Sequence, residues 1–190
     1  MNNRQETLNK FIKHVVSQAK KNLTTTNKNA SKKLYNSIKG EAKAFPNSIG
    51  IYFNMEEYGF YQDQGVKGAN PSNVSKNAKI RGQQAPNSRF RFGSGSHSGT
   101  WPQFVNSLEK WVRRRNLRLR DEKGKFKKGN YKTIANVVAK NIYARGLKPS
   151  FFFTKPFEAA FKNLPDDMID SYGLDVENLF NDIMNQTFKK

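Results

Sequence analysis

The sequence predicts an α+β fold in which a small β-hairpin is packed by several helices and a long basic segment is inserted between them. Three observations lead there. Apolar residues recur at helical spacing in several separate stretches, two short β-prone runs are split by Pro46-Asn47, and Lys and Arg crowd the middle of the chain.

Along the chain, Leu8, Phe11, Ile12, Val15, Val16, Ala19 and Leu23 lie on one helical face and predict a first helix that ends in the polar stretch 24–29. Ser31 is placed to cap a short second helix carrying Leu34, Tyr35 and Ile38, with Gly40 as its stop. Residues 41–45 and 48–54, with Phe45, Ile49, Ile51, Tyr52 and Phe53, read as the hairpin. Within residues 55–64, Tyr58 and Tyr61 predict another short helix, stopped where Gly65 permits positive φ. Residues 66–99 lose all periodicity and are rich in Gly, Ser, Asn and Pro. This predicts a long irregular connection that is mobile in an isolated monomer.

Order returns at Thr100, which with Gln103 has the spacing of a capping box. Trp101, Phe104, Val105, Leu108, Trp111, Val112 and Arg115 continue one helical face. A further helix over residues 131–144 carries Tyr131, Ile134, Ala135, Val138 and Ile142 and closes at Gly146. Phe151, Phe152 and Phe153 suit a buried strand or a docked extended strip, and Thr154 with Pro156 begins a short helix through Phe157 and Phe161. Pro165, Asp166 and Asp167 open another helix. Gly173 is expected to break it before a terminal helix of Val176, Leu179, Phe180 and Ile183.

Composition narrows the function classes. At 190 residues the chain has room for one sizeable core, and 13% aromatic residues are too many for a disordered chain despite a mean hydropathy of -0.83. The net charge of +19 opposes compaction by self-repulsion and points to a polyanion nearby, nucleic acid first. The charge is uneven. Residues 1–65 hold 10 Lys and Arg against 5 acids, residues 66–155 hold 21 against 3, and residues 156–190 hold 3 against 7. The absence of cysteine excludes disulfides, thiolate nucleophiles and Cys-based zinc sites, and agrees with assembly in a reducing cytoplasm. No apolar run approaches the roughly 20 residues of a membrane span, and the polar N-terminus is unlike a secretory signal, so a soluble chain with no membrane association is expected.

A helix, a hairpin, the segment Tyr58-Gly-Phe-Tyr61-Gln-Asp-Gln-Gly65 and the segment Lys148-Pro-Ser-Phe-Phe-Phe-Thr-Lys-Pro156-Phe157-Glu158-Ala-Ala-Phe161 follow one another here. This order resembles the head–tail connector, or tail-completion, proteins of tailed bacteriophages, including neck-ring proteins of crAss-like phages. The resemblance covers residues 1–65 and 131–185. It implies a single connector-type domain formed by 1–65 and 131–190, with 66–130 as a basic insertion outside the family's compact pattern. It further implies a homo-oligomeric ring of about six or twelve copies at the portal–tail junction of the virion, assembled in the host cytoplasm. Expected partners are portal or adaptor and tail proteins, with viral double-stranded DNA passing through by non-specific contact. Neither catalysis nor a cofactor or metal is implied.

The insertion must be read from its chemistry. Arg113, Arg114, Arg115, Arg118 and Arg120, followed by Lys123, Lys125, Lys127 and Lys128, are the densest positive charge in the chain. Arg offers planar donors that match phosphate oxygens and Lys adds point charge, so these nine are the nucleic-acid-facing candidates; a solvated face, or a site for an acidic protein, is the bland alternative. Phe151, Phe152, Phe153 and Phe157 are either ordinary core or part of a subunit interface. Arg89, Phe90, Arg91 and Phe92 read as residues that order on protein assembly, with nucleotide stacking as the other reading. The acidic C-terminal segment meets either a basic surface of the next subunit or solvent.

Signals for an enzyme are weak. His14 and His97 are the only histidines and have no ligand-spaced neighbours. Glu56, Glu57 and Asp63 have the composition of a magnesium-binding nuclease cluster but read better as solvated helix positions, and the glycine run 93–99 lacks the Gly-Lys-Ser/Thr ending of a phosphate loop. A basic nucleic-acid-binding accessory protein that forms no ring is the alternative to the connector reading, and a nuclease is remote.

Overall fold

The protein is described by a computed structural model covering residues 3–28, 30–45, 48–73, 80–95, 99–120, 123–127 and 129–187. The fold class is α+β: the described residues contain seven α-helices and three two-stranded antiparallel pairs. They divide into two compact units, Met1–Glu56 with Phe152–Lys190, and Glu57–Phe151. The second unit contains the expected insertion 66–130 together with helices on either side of it.

The first unit is organised by α1 (Asn3–Thr25), whose buried face is Leu8, Phe11, Ile12, Val15, Ala19 and Leu23, the stripe the 3.6 period predicts. The short α2 (Lys33–Ser37) ends earlier than expected. Ile38 is already extended and fully buried, and Gly40 lies within β1 (Lys39–Phe45), paired with Phe53 of β2 (Ser48–Asn54). Ser31 Oγ accepts from the Lys33 N–H at 3.4 Å, a weak contact, while Lys32 occupies the capping position with φ 55°. The hairpin register runs from Lys39 opposite Asn54 to Phe45 opposite Ser48. Ala42, Ile51 and Phe53 turn toward α1, and Glu41, Lys43 and Tyr52 turn away.

Two clusters fill this unit. Leu8, Phe11, Ile12, Val15 and Leu164 form one, and Ala19, Leu23, Leu34, Ile38 and Phe152 the other. Aromatic rings finish the first: Phe53 meets Phe11, Phe153 and Phe157 edge-to-face at 6.3, 5.1 and 5.9 Å, and Phe157 stacks on Phe153 at 6.0 Å. Such pairs add about 0.5–1.5 kcal/mol each beyond the area they bury. The strip 151–153 forms a turn instead of the expected strand or extended strip, and Phe153 leads into α6 (Thr154–Phe161).

The last helix, α7 (Leu164–Thr187), corrects the expected break at Gly173. It is continuous through that residue, which lies on an outer face where an added Cβ would meet open space. A mid-helix glycine costs only about 1 kcal/mol, and α7 is held to α1 on both sides of it, through Leu164, Met168 and Ser171 before and Asp175 after. That packing includes Asp175, which accepts from the Asn3 N–H at 2.9 Å and from Arg4 Nε at 3.0 Å, and Ser171, whose Oγ lies 2.6 Å from Thr7 Oγ1. Burial, the largest single influence, pushes the Asp175 carboxyl up. The hydrogen bonds from Asn3 and Arg4 and the Arg4 charge together outweigh it and hold the group below its ordinary range.

The second unit begins with α3 (Tyr58–Gln64), ended by Gly65 at φ 72°. Next comes β3 (Val66–Lys67), and a single 3-10 turn (Pro71–Asn73) follows. Beyond these lie α4 (Trp101–Arg114), β4 (Leu119–Arg120), β5 (Phe126–Lys127), α5 (Tyr131–Arg145) and β6 (Gly146–Leu147), which pairs with β3. Within the expected irregular connection 66–99, the described residues 66–73, 80–95 and 99 are irregular, and several of them are packed. Lys67 donates its N–H to Phe90 O at 2.8 Å and accepts from the Phe92 N–H at 2.9 Å, and Ser88, 7% exposed, donates Oγ to Gly65 O at 2.7 Å. Gly68 rides directly on the Ala144 carbonyl and Gly146 has φ 95°, so any side chain at either position would push the β3–β6 crossing apart. Aperiodicity here marks irregular backbone, not a lack of contacts. Among the described residues, no helix is long and apolar enough to cross a membrane.

Candidate nucleic-acid interface

The basic cluster is carried by an antiparallel helix pair. α4 starts with the expected capping box, the Thr100 N–H donating to Gln103 Oε1 at 2.8 Å, and α5 starts on Asn130, whose Oδ1 accepts from the Thr133 N–H at 2.7 Å. Val105 and Val112 of α4 interlock with Ile134, Ala135 and Ala139 of α5, where the small alanines allow close approach. The start of α4 lies against the end of α5, with the Trp101 and Tyr143 rings at 5.8 Å. The end of α4 lies against the start of α5, where Tyr131 Oη donates to Asn116 Oδ1 at 3.3 Å. Residues 115–130 therefore leave and re-enter the pair at one end, and β4 and β5 form a small hairpin there.

The candidates at that end divide by what they touch. Arg113 is turned back along α4: its Nε and Nη2 donate to Glu109 Oε1 at 3.0 and 2.7 Å, and its guanidinium lies 4.9 Å from the Tyr131 ring centre. Three consecutive helical residues point about 100° apart, so the Arg113-Arg114-Arg115 run fans around the helix end. Arg114 is exposed and Arg115 is half-buried. Arg118 and Arg120, two apart on extended chain, share one side and both sit over the exposed Phe126 ring, at 5.6 and 4.3 Å. Arg120 also donates Nη1 to Gly124 O at 2.9 Å. Lys123 and Lys125 are exposed on the same small hairpin, whereas Lys128 and the Lys127 side chain lie outside the described residues.

Phe126, 61% exposed, thus gathers two guanidiniums into one place and leaves further N–H groups of each free to turn outward. Planar cations at such short spacing match phosphate oxygens. Sequence reading missed Phe126, Tyr131 and Glu109 as organisers of the cluster. The two-residue spacing of Arg118 and Arg120 was the available signal for the first, and the i,i+4 spacing of Glu109 and Arg113 for the last.

The other candidates are placed as follows. Phe90 meets Tyr61 edge-to-face at 4.6 Å and carries Arg89 at 4.7 Å, while Phe92 lies between Phe104 and Tyr143 at 5.9 and 5.7 Å. These rings belong to the second unit's own packing, and Arg89 and Arg91 are exposed around them. Phe152 has no exposed surface at all, so it holds the chain's own core and offers nothing to a subunit interface. Phe153 and Phe157 are half-buried in the aromatic cluster, and Phe151 is 37% exposed at φ 49°. His14 is exposed on α1, and His97 lies outside the described residues. Glu56 pairs with Lys33 at 3.0 Å, Glu57 accepts from Tyr61 Oη at 3.4 Å, and Asp63 is 3% exposed. Burial, more than the adjacent Glu57, pushes the Tyr61 phenol up. Among the described residues no group of His, Asp and Glu has the geometry to hold a metal ion.

No protein-family model matches the chain, and no curated protein or solved structure is detectably similar to it. Charge follows the division into units: residues 57–151 hold 20 Lys and Arg against 5 acids, and the remainder of the chain 14 against 10.

Proposed function

We propose that this chain is a non-enzymatic structural protein of a tailed bacteriophage. In this reading its copies form a ring at the portal–tail junction, help join head to tail and let genomic DNA pass. One observation supports it above the others: the positive charge is gathered in one unit and displayed by Arg114, Arg118, Arg120, Lys123 and Lys125 around a single helix-pair end, while the other unit is nearly charge-balanced. A ring component has both needs, a surface that tolerates close passage of a polyanion and a body that packs against protein. Exposed arginines and lysines give weak, non-directional, salt-sensitive phosphate contacts over which a duplex slides. The order of sequence elements described above supports the same reading, with portal or adaptor and tail proteins as neighbours and the virion neck as the place of action.

The test is native mass spectrometry of the purified chain, alone and with a portal-type partner, in nuclease-treated and DNA-supplemented samples. The expected result is a discrete higher-order ring, alone or on the partner. A chain that stays monomeric, never assembles on the partner and binds DNA tightly is the accessory protein instead, and overturns the ring.

A further inference from the structure

The first unit carries a second basic feature that the DNA-passage reading does not use. A groove of about 830 Å³ runs between α1, α2 and the start of β1. Its floor is apolar, with Ile12 6% exposed, Ile38 fully buried and Val16 half-buried. Its rim is Lys13, Lys20, Lys21 and Lys39, and no acidic residue lines it. Lys20 is steadied over the Tyr35 ring at 5.3 Å. A phosphate backbone has no use for an apolar floor, whereas an acidic amphipathic helix uses floor and rim together.

The same unit displays such a helix. On α7, Leu164, Met168, Ser171 and Asp175 face inward and hold it to α1. Half a turn round, Asp166, Asp170, Gly173 and Glu177 recur at the i, i+4, i+7, i+11 spacing of one outer stripe, and all are exposed. Ile169 at 69% and Leu174 at 53% exposure flank it. Gly173 leaves open space in the middle of that stripe, which lets a partner surface come close. A chain's own α7 does not reach its own groove by this face. It is held at Arg4 and Thr7, which lie on the side of α1 opposite Lys13 and Lys20 by the helical period.

The geometry points to a subunit contact in which the outer face of α7 from one copy docks in the lysine-rimmed groove of the next. The contact is heterologous, groove to helix, so it repeats from copy to copy and closes into a ring when the rotation per copy divides a full turn. It deepens the ring reading and rests on its premise that copies of this chain meet. The acidic stripe lies along the lysines of the rim and sets the register, and Ile169 on the flank of that stripe reaches the apolar floor.

The test is assembly of the full chain by sedimentation at low salt, with and without the portal-type partner, using two charge-reversed variants whose folding is checked by circular dichroism. One carries Lys20→Glu with Lys21→Glu, the other Asp166→Lys with Asp170→Lys. Each alone is expected to assemble about tenfold or more weakly, and mixing the two should restore assembly, since each then offers the complement the other lacks. Because the chain has no native cysteine, Lys20→Cys in one copy and Asp170→Cys in another should form a disulfide-linked dimer that a control pairing Asp170→Cys with Asn106→Cys, exposed on α4 of the second unit, does not. Gly173→Ala should raise the melting temperature of the dissociated chain yet weaken assembly. If wild type assembles and the variants assemble equally well without cross-linking, this contact is wrong and the ring stands. If wild type never assembles, both fall. If the lysine variant assembles normally but loses DNA binding, the groove belongs to phosphate and the proposal is overturned.

Discussion

At the scale of single residues, adjacent and chemically identical side chains take opposite positions in this chain. Phe152 is fully buried against Ala19, Leu23, Leu34 and Ile38, whereas Phe151 is 37% exposed in the left-handed region. Phe152→Ala should therefore cost about 3–5 kcal/mol in urea unfolding, and Phe151→Ala under about 1.5 kcal/mol. Equal losses would show that the two rings share the core. Nothing in a Phe-Phe-Phe run distinguishes its members; the turn that follows Ser150 does, by the direction in which it sends each Cβ. Asp175 is a second case. Its folded carboxyl titrates below its unfolded one, so its stabilisation is complete above the ordinary carboxylate range and is lost as pH falls through the depressed folded value. Asp175→Asn should be less stable than wild type at neutral pH, with the gap closing below about pH 4. A gap independent of pH would assign the effect to packing instead of charge.

At the scale of elements, the helices were legible wherever an apolar stripe coincided with an end signal. α1, α4 with its Thr100–Gln103 box, α5 ending at Gly146 and α6 beginning at Thr154 all lie where periodicity and capping place them. Gly40 and Gly173 both carry the local signal of a helix stop, and at both tertiary contacts override the local preference. Gly40 is held in the hairpin register opposite Phe53, and Gly173 is carried through by a helix anchored on both sides of it. The basic helix-pair end was legible as composition but not as geometry. The sequence does not show that Arg113 turns back to Glu109 while Arg118 and Arg120 share the Phe126 ring. This yields a distinction between them. Replacing Arg118 and Arg120 together with Gln should reduce the slope of log affinity for duplex DNA against log salt by about 2, while Arg113→Gln should leave it nearly unchanged and cost some stability. Equal slopes for the three proteins would remove Arg118 and Arg120 from the DNA contact.

At the scale of the whole molecule, the chain makes one unit from its two ends and another from its middle. The first unit's two crossing points lie close together, since Met55 and Phe152 pack in the same cluster. A chain in which a short Gly-Ser linker replaces residues 57–151 is therefore expected to fold into the first unit, with a cooperative unfolding transition and the Phe53–Phe153–Phe157 aromatic signals intact in NMR spectra. A molten chain would show that the first unit depends on the second.

By itself the sequence determined the α+β class, the helical stripes, the capping sites and the concentration of positive charge, because each is a local regularity that periodicity or counting detects. Only the tertiary structure decided where the chain divides, which of three phenylalanines forms the core, which arginines are already engaged, and that a lysine-rimmed groove and an acidic helix face occupy opposite sides of α1. These depend on residues far apart in sequence, such as Asn3 with Asp175 and Gly68 with Ala144, being brought together by packing that no local pattern encodes.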